Sequence, residues 1–271
     1  MKRKGEDEKA PPFFNYSGES LFFTRMRNLK IVIEYDGAGF HGWQRQKGLV
    51  TVQRALEISI GKITGEKVTV IGSGRTDAGV HALNQVANFK TASLLGLRNL
   101  LAGINSLLPL DVVVKDIQEV DEFFHARFNV KSKVYMYQIF NAPFRSALRR
   151  NRAWHVYAPL NLMGMNEGLS YLKGMHDFSS FCGKNTGDSN CVRNIKESRI
   201  EKTSSELIRI YIEADGFLRY MVRTIVGTLI EIGMGKREPW EMIGILGAGE
   251  RKHAGITAPP HGLFLMEVKY L

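Results

Sequence analysis

Cysteine, long apolar runs and metal-ligand spacings are all scarce in this chain. There are only two cysteines, Cys182 and Cys191, and neither lies in a CxxC pair, which excludes a disulfide scaffold. None of the seven histidines forms an HxH or HExxH pattern, so we expect no metal site. No run of about 18 apolar residues could span a bilayer, and the start MKRKGEDEKAPP lacks the apolar core of a signal peptide. These absences predict a cytoplasmic protein with no membrane partner.

The chain instead has the composition of an ordinary globular protein with an excess of basic residues. Its 271 residues are 44% hydrophobic and 24% charged. The 37 Lys and Arg residues against 27 Asp and Glu leave a net charge of +10. Residues 1–25 hold five basic and four acidic residues, so they supply only +1 of this charge. The basic character belongs to the folded body and indicates a polyanionic partner, with nucleic acid the first candidate.

Hydrophobic periodicity divides the chain into two halves with the same order of elements, β-α-β-β-α-β. The predicted fold is α+β. It has two ferredoxin-like halves joined through a mixed, mainly antiparallel sheet, with helices on one face and a basic active-site cleft. We expect an N-terminal tail over 1–27, a first domain with the Gly-rich loop over 28–125, and a second domain over 126–271.

The individual elements follow from apolar spacing and from capping residues. Thr51 is expected to begin one helix, and Ser93 a second helix with Leu94, Leu97, Leu101 and Ile104 facing inward. Helices are also predicted over 160–174 and 216–233. Strands are predicted over 29–35, 67–72, 84–90, 112–120, 133–140, 195–202, 207–214 and 262–270.

A Gly-rich loop, GSGRTDAGVHALNQVANF (72–89), carries the chemistry-bearing residues. A dinucleotide fingerprint starting at Gly72 would need Gly where Asp77 stands, and a helix where NQVANF predicts a strand. The residues leave two roles open for Asp77: a turn former, or an ionised carboxylate acting as nucleophile or base. The small flanking residues favour close approach of a substrate, and Arg75 lies near enough to keep the carboxylate ionised.

Five segments together resemble one known family. GRTDAGVHA (74–82) resembles the active-site signature of the tRNA pseudouridine synthase A family. EYDGAGFHGWQRQ (34–46), FFHARF (123–128), YMVRTIVGTLIEIG (220–233) and APPHGLFLMEV (258–268) resemble further motifs of that family in the same order. The resemblance implies a homodimer that converts uridine to pseudouridine in the anticodon stem-loop of tRNA, at tRNA positions 38, 39 and 40, without cofactor or metal.

The resemblance also implies catalytic roles for several residues. Asp77 takes the place of the family's catalytic aspartate, and attack on C1′, attack on C6 and formation of a glycal all stay open. Arg75 matches the arginine that assists base flipping, with an ion pair to Asp77 as the alternative. Tyr135 matches the active-site tyrosine, although Tyr137 shares its strand face. Arg223 lies on an apolar helix and should need a carboxylate partner, which we expect to be Asp77.

Further residues are candidates for contact with the substrate. Trp43 either stacks on RNA or staples its loop to the body, and neighbouring Gln44 and Arg45 are polar enough to contact RNA. In the segment 144–152 four arginines stand without an acid, so we expect Arg149 and Arg150 to contact phosphate. The remaining candidates are Thr76, His81 (for which a structural role is the alternative) and Leu263, which matches an apolar residue under the base.

Two other function classes fit parts of the pattern. A non-catalytic RNA-binding module would carry aromatic RNP motifs on its central strands, and the sequence contains no match. A glycosidase or nucleosidase would need a second carboxylate about 5 Å from Asp77. Asp36 is the only near candidate for that second group.

Overall fold

One mixed sheet of ten strands runs through the part of the chain that a computed structural model describes, residues 25–183 and 190–270. Most of the expected tail, residues 1–24, lies outside these ranges. The strands are β1 Arg27–Tyr35, β2 Ile71–Gly72, β3 His81–Thr91, β4 Val112–Val120, β5 Ser132–Asn141, β6 Trp154–Val156, β7 Gly174–Asp177, β8 Val192–Lys202, β9 Leu207–Ala214 and β10 Leu263–Lys269. The helices are α1 Val52–Thr64, α2 Leu97–Leu107, α3 Leu162–Ser170, α4 Met221–Gly233 and α5 Glu241–Ala248.

The last strand holds the two halves of the sheet together. The strand order is β4-β1-β3-β10-β5-β9-β8-β7, with β2 paired to β3 and β6 paired to β5. β10 runs parallel to β3, where Phe264 lies opposite His81. It runs antiparallel to β5, where Leu263 lies opposite Tyr137. Apart from β6 on β5, the other described pairs are antiparallel, so the expected α+β fold with a mixed, mostly antiparallel sheet is confirmed.

The apolar core covers one face of the sheet and continues across both halves. On β1 the residues Leu29, Ile31 and Ile33 alternate inward and pack against α1 and α2 in one cluster. In the second half α4 is enclosed almost all round, and only Arg223 and Glu231 among its residues are not fully buried. The side chains of these two charged residues are 12% and 23% exposed. No helix in the described ranges is long and apolar enough to cross a membrane.

The helix predicted over 160–174 ends at Ser170, and three further boundaries differ from the prediction for local reasons. The second helix begins at Leu97 rather than at Ser93, because the Ser93 carbonyl accepts a hydrogen bond from Arg27 and Leu94 points into solvent. The α4 helix begins at Met221 because Tyr220 adopts φ 66°, a left-handed conformation that ends regular helix. The strand predicted over 67–72 shrinks to two residues.

In the segment 67–72, side chains of α1 replace the backbone hydrogen-bonding partners that a neighbouring strand would supply. The Val70 N–H donates to Glu57 and the Val70 carbonyl accepts from Gln53.

Three elements were not predicted: α5, β6 and β7. The β6 and β7 strands are only three and four residues long, and α5 contains two glycines, so their periodicity is weak.

Two helical glycines give a matched test of this packing. A Cβ on Gly227 in α4 would clash with the Ile256 carbonyl oxygen, whereas a Cβ on Gly244 in α5 has nothing within 4 Å. We expect Gly227→Ala to lower the free energy of unfolding by about 1–3 kcal/mol through overpacking. We expect Gly244→Ala to raise it by up to about 1 kcal/mol. Equal effects in chemical denaturation would contradict this packing of 254–258 on α4.

Candidate active site

Buried polar groups fix the loop between β2 and β3, residues 73–80, which we call the motif loop. The Ser73 hydroxyl donates to Gln85 Oε1 at 2.6 Å, and Gln85 Nε2 donates to the Gly74 carbonyl at 3.1 Å. Further along, the Thr76 and Tyr35 hydroxyls lie 2.8 Å apart. Since Ser73, Thr76, Gln85 and Tyr35 are all buried, the loop is tied to the strands beneath it on both sides of Arg75.

The segment after β1 packs directly on the motif loop. Gly42 has φ +85°, and a Cβ there would lie 2.5 Å from the Thr76 carbonyl oxygen. The Trp43 N–H donates to that same oxygen at 3.1 Å, and the Trp43 ring covers Gly72 with only 2% of the residue exposed. Trp43 therefore holds the segment after β1 against the motif loop. The prediction that its ring stacks on RNA is not supported, because the ring face is already covered.

The Asp77 carboxylate is held by an arginine from the other half of the chain. Arg223 NH1 lies 2.9 Å from Asp77 Oδ2, which confirms the predicted ion pair. Arg223 is itself fixed, because its Nε donates to the Ala258 carbonyl at 2.8 Å and its guanidinium lies 5.1 Å from the centre of the Tyr220 ring. Within residues 25–183 and 190–270, Asp77 Oδ1 accepts no hydrogen bond. One carboxylate oxygen is thus anchored and the other is open to a substrate.

The two tyrosines of β5 have different surroundings. Tyr135 packs edge-on against Phe217, and in the described chain its hydroxyl has no hydrogen-bond partner. Burial raises the pKa of Tyr135 strongly, with Tyr35 and Asp77 adding to the shift, so the phenol keeps its proton. The Tyr137 hydroxyl instead donates to the Pro259 carbonyl at 2.7 Å. This arrangement supports the choice of Tyr135 as the reactive residue and Tyr137 as a packing residue.

Leu263 lies on the same face of the sheet as these tyrosines. It begins β10 opposite Tyr137, and Leu265 follows opposite Tyr135. Both leucines are buried. The strand that joins the two halves therefore places two buried leucines opposite the two tyrosines.

Arg75 does not pair with Asp77. Its Nε donates to Gln44 Oε1 at 3.1 Å, and none of the described ion pairs includes Arg75. Gln44 is held by Gln53 of α1, and the Arg45 guanidinium lies 2.8 Å from Glu57 Oε2. The ion-pair alternative for Arg75 is therefore excluded in this structure. Among the described residues its exposed guanidinium bonds only to the neutral Gln44, so it can move at small cost.

His81 is a structural residue rather than a substrate contact. Its side chain is almost fully buried, Nδ1 accepts the Gly37 N–H at 3.0 Å, and Nε2 lies 2.8 Å from the Asn151 carbonyl oxygen. Burial lowers the pKa of His81, and the opposing charge of Asp36 does not reverse the shift. A neutral ring with its proton on Nε2 satisfies both bonds. Both ring nitrogens are engaged within the chain, which favours the structural alternative for His81 over contact with substrate.

Through the contact of its Nε2 with the Asn151 carbonyl, His81 also brings the arginine-rich segment 144–152 next to the motif loop. Arg152 of this segment lies 3.2 Å from Asp36 Oδ2. Arg149 and Arg150 are exposed, and the described ion pairs include neither of them. Arg149 lies 5.8 Å from the centre of the Phe140 ring. These two exposed arginines directly precede the residues that contact His81 and Asp36.

Comparison with known proteins places the chain in a family. A sequence profile described as "tRNA pseudouridine synthase" matches residues 31–129 and 169–271. Proteins named tRNA pseudouridine synthase A from Thermoanaerobacter pseudethanolicus and Acetivibrio thermocellus are 48% and 47% identical over 90% of this chain and the whole length of each relative. This chain belongs to the tRNA pseudouridine synthase family. Members of this family are isomerases, and the chain is therefore an enzyme of that class.

One solved structure adds nothing to this assignment. It is titled "Crystal Structure of an Unknown Protein from Galdieria sulphuraria" and aligns over 91% of this chain and 99% of its own. The identity is 7% and the TM-score is 0.23, which carries no argument about the family's fold. Separately, the described residues contain no group of three or more His, Cys, Asp or Glu side chains arranged to hold a metal.

Sequence reasoning missed the residues that fix the motif loop from below. Gln85 and Tyr35 are completely or almost completely buried, and Lys133 donates to the Ser73 carbonyl at 2.8 Å. A signal for Gln85 was present, since a polar residue in the middle of a predicted strand needs a buried partner. Lys133 lies two residues before Tyr135 on the same predicted strand, and this spacing would have placed both side chains on one face of the sheet.

The contrast between the two tyrosines gives a direct test. We expect Tyr137→Phe to lower the free energy of unfolding by about 1 kcal/mol, because the Pro259 carbonyl loses its donor. Tyr135→Phe should leave stability within about 0.5 kcal/mol of the parent but reduce isomerase activity. Thermal unfolding and turnover measured on the same preparations separate the two effects. Loss of activity in Tyr137→Phe alone would reverse the assignment.

Proposed function

We propose that this enzyme converts uridine to pseudouridine in tRNA, with Asp77 as the catalytic carboxylate. The observation that carries the proposal is the state of Asp77: Oδ2 is bonded to Arg223 at 2.9 Å, Oδ1 accepts no hydrogen bond within the described residues, and the carboxylate is close enough to Tyr135 for its charge to raise the pKa of that phenol. Membership of the family and the names of its relatives support the substrate. By resemblance, the target uridines lie in the anticodon stem-loop at positions 38, 39 and 40.

The reaction needs bond cleavage, rotation and re-formation, without oxidation or reduction. The N1–C1′ bond breaks, the uracil turns, a C5–C1′ bond forms, and the proton on C5 is lost to solvent while N1 gains one. Asp77 Oδ1 serves this sequence as a nucleophile at C1′ or C6, or as a base that leads to a glycal. Arg223 balances the charge of the carboxylate in each of these routes.

Arg75 and Tyr135 would hold the everted base. Taking a uridine out of a stem costs a few kcal/mol, which a group filling the gap offsets. The exposed Arg75 guanidinium has the planar shape and charge for this role, and its single bond to Gln44 is easily exchanged. Tyr135 would stack on the uracil or donate its hydroxyl proton, because burial keeps its pKa high and the phenol protonated.

We infer that the two halves are ferredoxin-like and flank a basic cleft. The strand orders β4-β1-β3-β2 and β10-β5-β9-β8 support this division, since each places the fourth strand of its half beside the first. The exposed Arg149 and Arg150 beside the motif loop support an RNA path along that edge. A homodimer in the cytoplasm follows from the family resemblance and is part of the proposal.

The glycosidase alternative is disfavoured by the state of Asp36. Its Oδ1 accepts the Ala38 N–H at 3.0 Å and its Oδ2 lies 3.2 Å from Arg152. Although burial acts in the opposite direction, the hydrogen bond from the Ala38 N–H and the neighbouring charge of Arg152 lower the pKa of Asp36. An occupied, ionised carboxylate is not the second acid that a retaining glycosidase requires.

Release of tritium from C5-labelled uridine in unmodified tRNA tests the proposal. An isomerase releases tritium without freeing uracil, a nucleosidase frees the base, and a binding module does neither. We expect Asp77→Asn to abolish release while tRNA binding persists, because the variant keeps the shape of the side chain. Retained turnover in Asp77→Asn would overturn the role of this carboxylate.

The salt dependence of tRNA binding tests the proposed RNA path. Replacing Arg149 and Arg150 by Ala should weaken binding and reduce the slope of log K against log salt by about 1.4–1.8, if each arginine neutralises one phosphate. The matched control removes two exposed cations from other surfaces, Arg98 on α2 and Lys202 on β8. An equal change of slope in the control would show that only net charge matters.

A further inference from the structure

Lys133 occupies an unusual position beneath the motif loop. It lies on β5 two residues before Tyr135, so both side chains are on the same face of the sheet. Across the sheet it is paired with Ala214 and Val268, which are apolar. Its Nζ donates to the Ser73 carbonyl at 2.8 Å. The amine therefore reaches from the second half of the chain to the first residue of the motif loop.

A contribution to the stability of the fold does not explain why Lys133 places an amine here. Burial lowers the pKa of Lys133 to about 8, and the charge of Arg127 acts in the same direction. The pKa is lower in the folded chain than the usual 10.5, so the unfolded chain binds the proton more tightly. The charged amine thus destabilises the fold below about pH 8, and this cost is relieved as the pH rises toward 10.5. No carboxylate among the described residues pairs with it.

The contact completes the set of bonds at the start of the motif loop. The Ser73 N–H donates to the Val86 carbonyl, the Ser73 hydroxyl to Gln85, and the Ser73 carbonyl accepts from Lys133. Only Lys133 in this set comes from the strand that carries Tyr135. We propose that Lys133 is a positioning residue: its ammonium holds the Ser73 carbonyl and so sets where Asp77 lies relative to Tyr135 and Arg223. The inference rests on the proposed function.

Gly74 offers an independent way to break the same contact. A Cβ on Gly74 would lie 2.5 Å from Lys133 Nζ, the far end of a flexible side chain. Gly74→Ala is therefore expected to displace the amine without disturbing the strands. In Lys133→Ala the amine is absent, so the added methyl of Gly74→Ala meets open space.

The experiment compares the full-length parent, Lys133→Ala, Gly74→Ala and the double variant. Single-turnover tritium release at saturating tRNA and the tRNA dissociation constant are measured for each. We expect each single variant to slow release by about 10- to 100-fold, because a small misplacement of a catalytic group has effects of this size. The dissociation constant should stay within about twofold, since the amine is bonded to the Ser73 carbonyl and the proposal gives it no contact with RNA, and the double variant should be no slower than Lys133→Ala.

The pH profile supplies a readout that a purely structural role would not move. Release by the parent should fall above about pH 8 as the amine loses its proton. Tyr35, with a pKa raised to about 12 by burial, and Tyr135, whose pKa burial also raises, do not titrate in this range, and Arg127 is the nearby cation that acts on the amine in the same direction as burial. Lys133→Arg keeps a charged donor, so it should recover part of the lost rate and lack the fall above pH 8.

The outcomes separate this inference from the function on which it rests. If the parent releases no tritium, the proposed function fails and the inference fails with it. If the parent is active and Lys133→Ala matches it in rate, only the positioning role is overturned. If Lys133→Ala weakens tRNA binding and lowers its salt slope at an unchanged rate, the amine contacts phosphate, and the positioning role is again overturned.

Discussion

The ion pair between Arg223 and Asp77 joins two residues that are 146 positions apart in the chain. Neither side chain is well exposed, so each would be costly without the other. Arg223 is also bonded to the Ala258 carbonyl and lies near the ring of Tyr220, so two further contacts fix its guanidinium. The carboxylate therefore has a fixed orientation before any substrate arrives. An exposed pair, contributing at most about 1 kcal/mol, could not hold it in this way.

Strand β10 makes this contact possible. It pairs with β3 just after the motif loop and with β5 at Tyr135, so residues from both halves meet at one point of the sheet. The segment before β10 supplies the Ala258 carbonyl that orients Arg223. The site is thus made by sheet topology, and neither half alone contains it. Buried polar groups on β1, β3 and β5 then fix the motif loop above this junction.

The sequence was sufficient to predict those residues whose contacts follow from charge or from hydrophobic pattern. An arginine on an apolar helix needs a carboxylate, and Arg223 pairs with Asp77 as expected. It was insufficient where the outcome depends on packing in three dimensions. The Trp43 ring is covered by Gly72, which no spacing reveals. The late start of α4 depends on the left-handed backbone of Tyr220, a conformation that few side chains adopt and no sequence pattern signals.

The most direct measurement is a crystal structure with an RNA stem-loop whose target uridine carries fluorine at C5, so that the final loss of a proton from C5 cannot occur. The account predicts that the nucleotide lies everted against Tyr135 within bonding distance of Asp77 Oδ1. Arg223 should still be bonded to Oδ2, as it is at 2.9 Å without RNA. A nucleotide bound away from Asp77, or an Arg223 that has left the carboxylate, would contradict it.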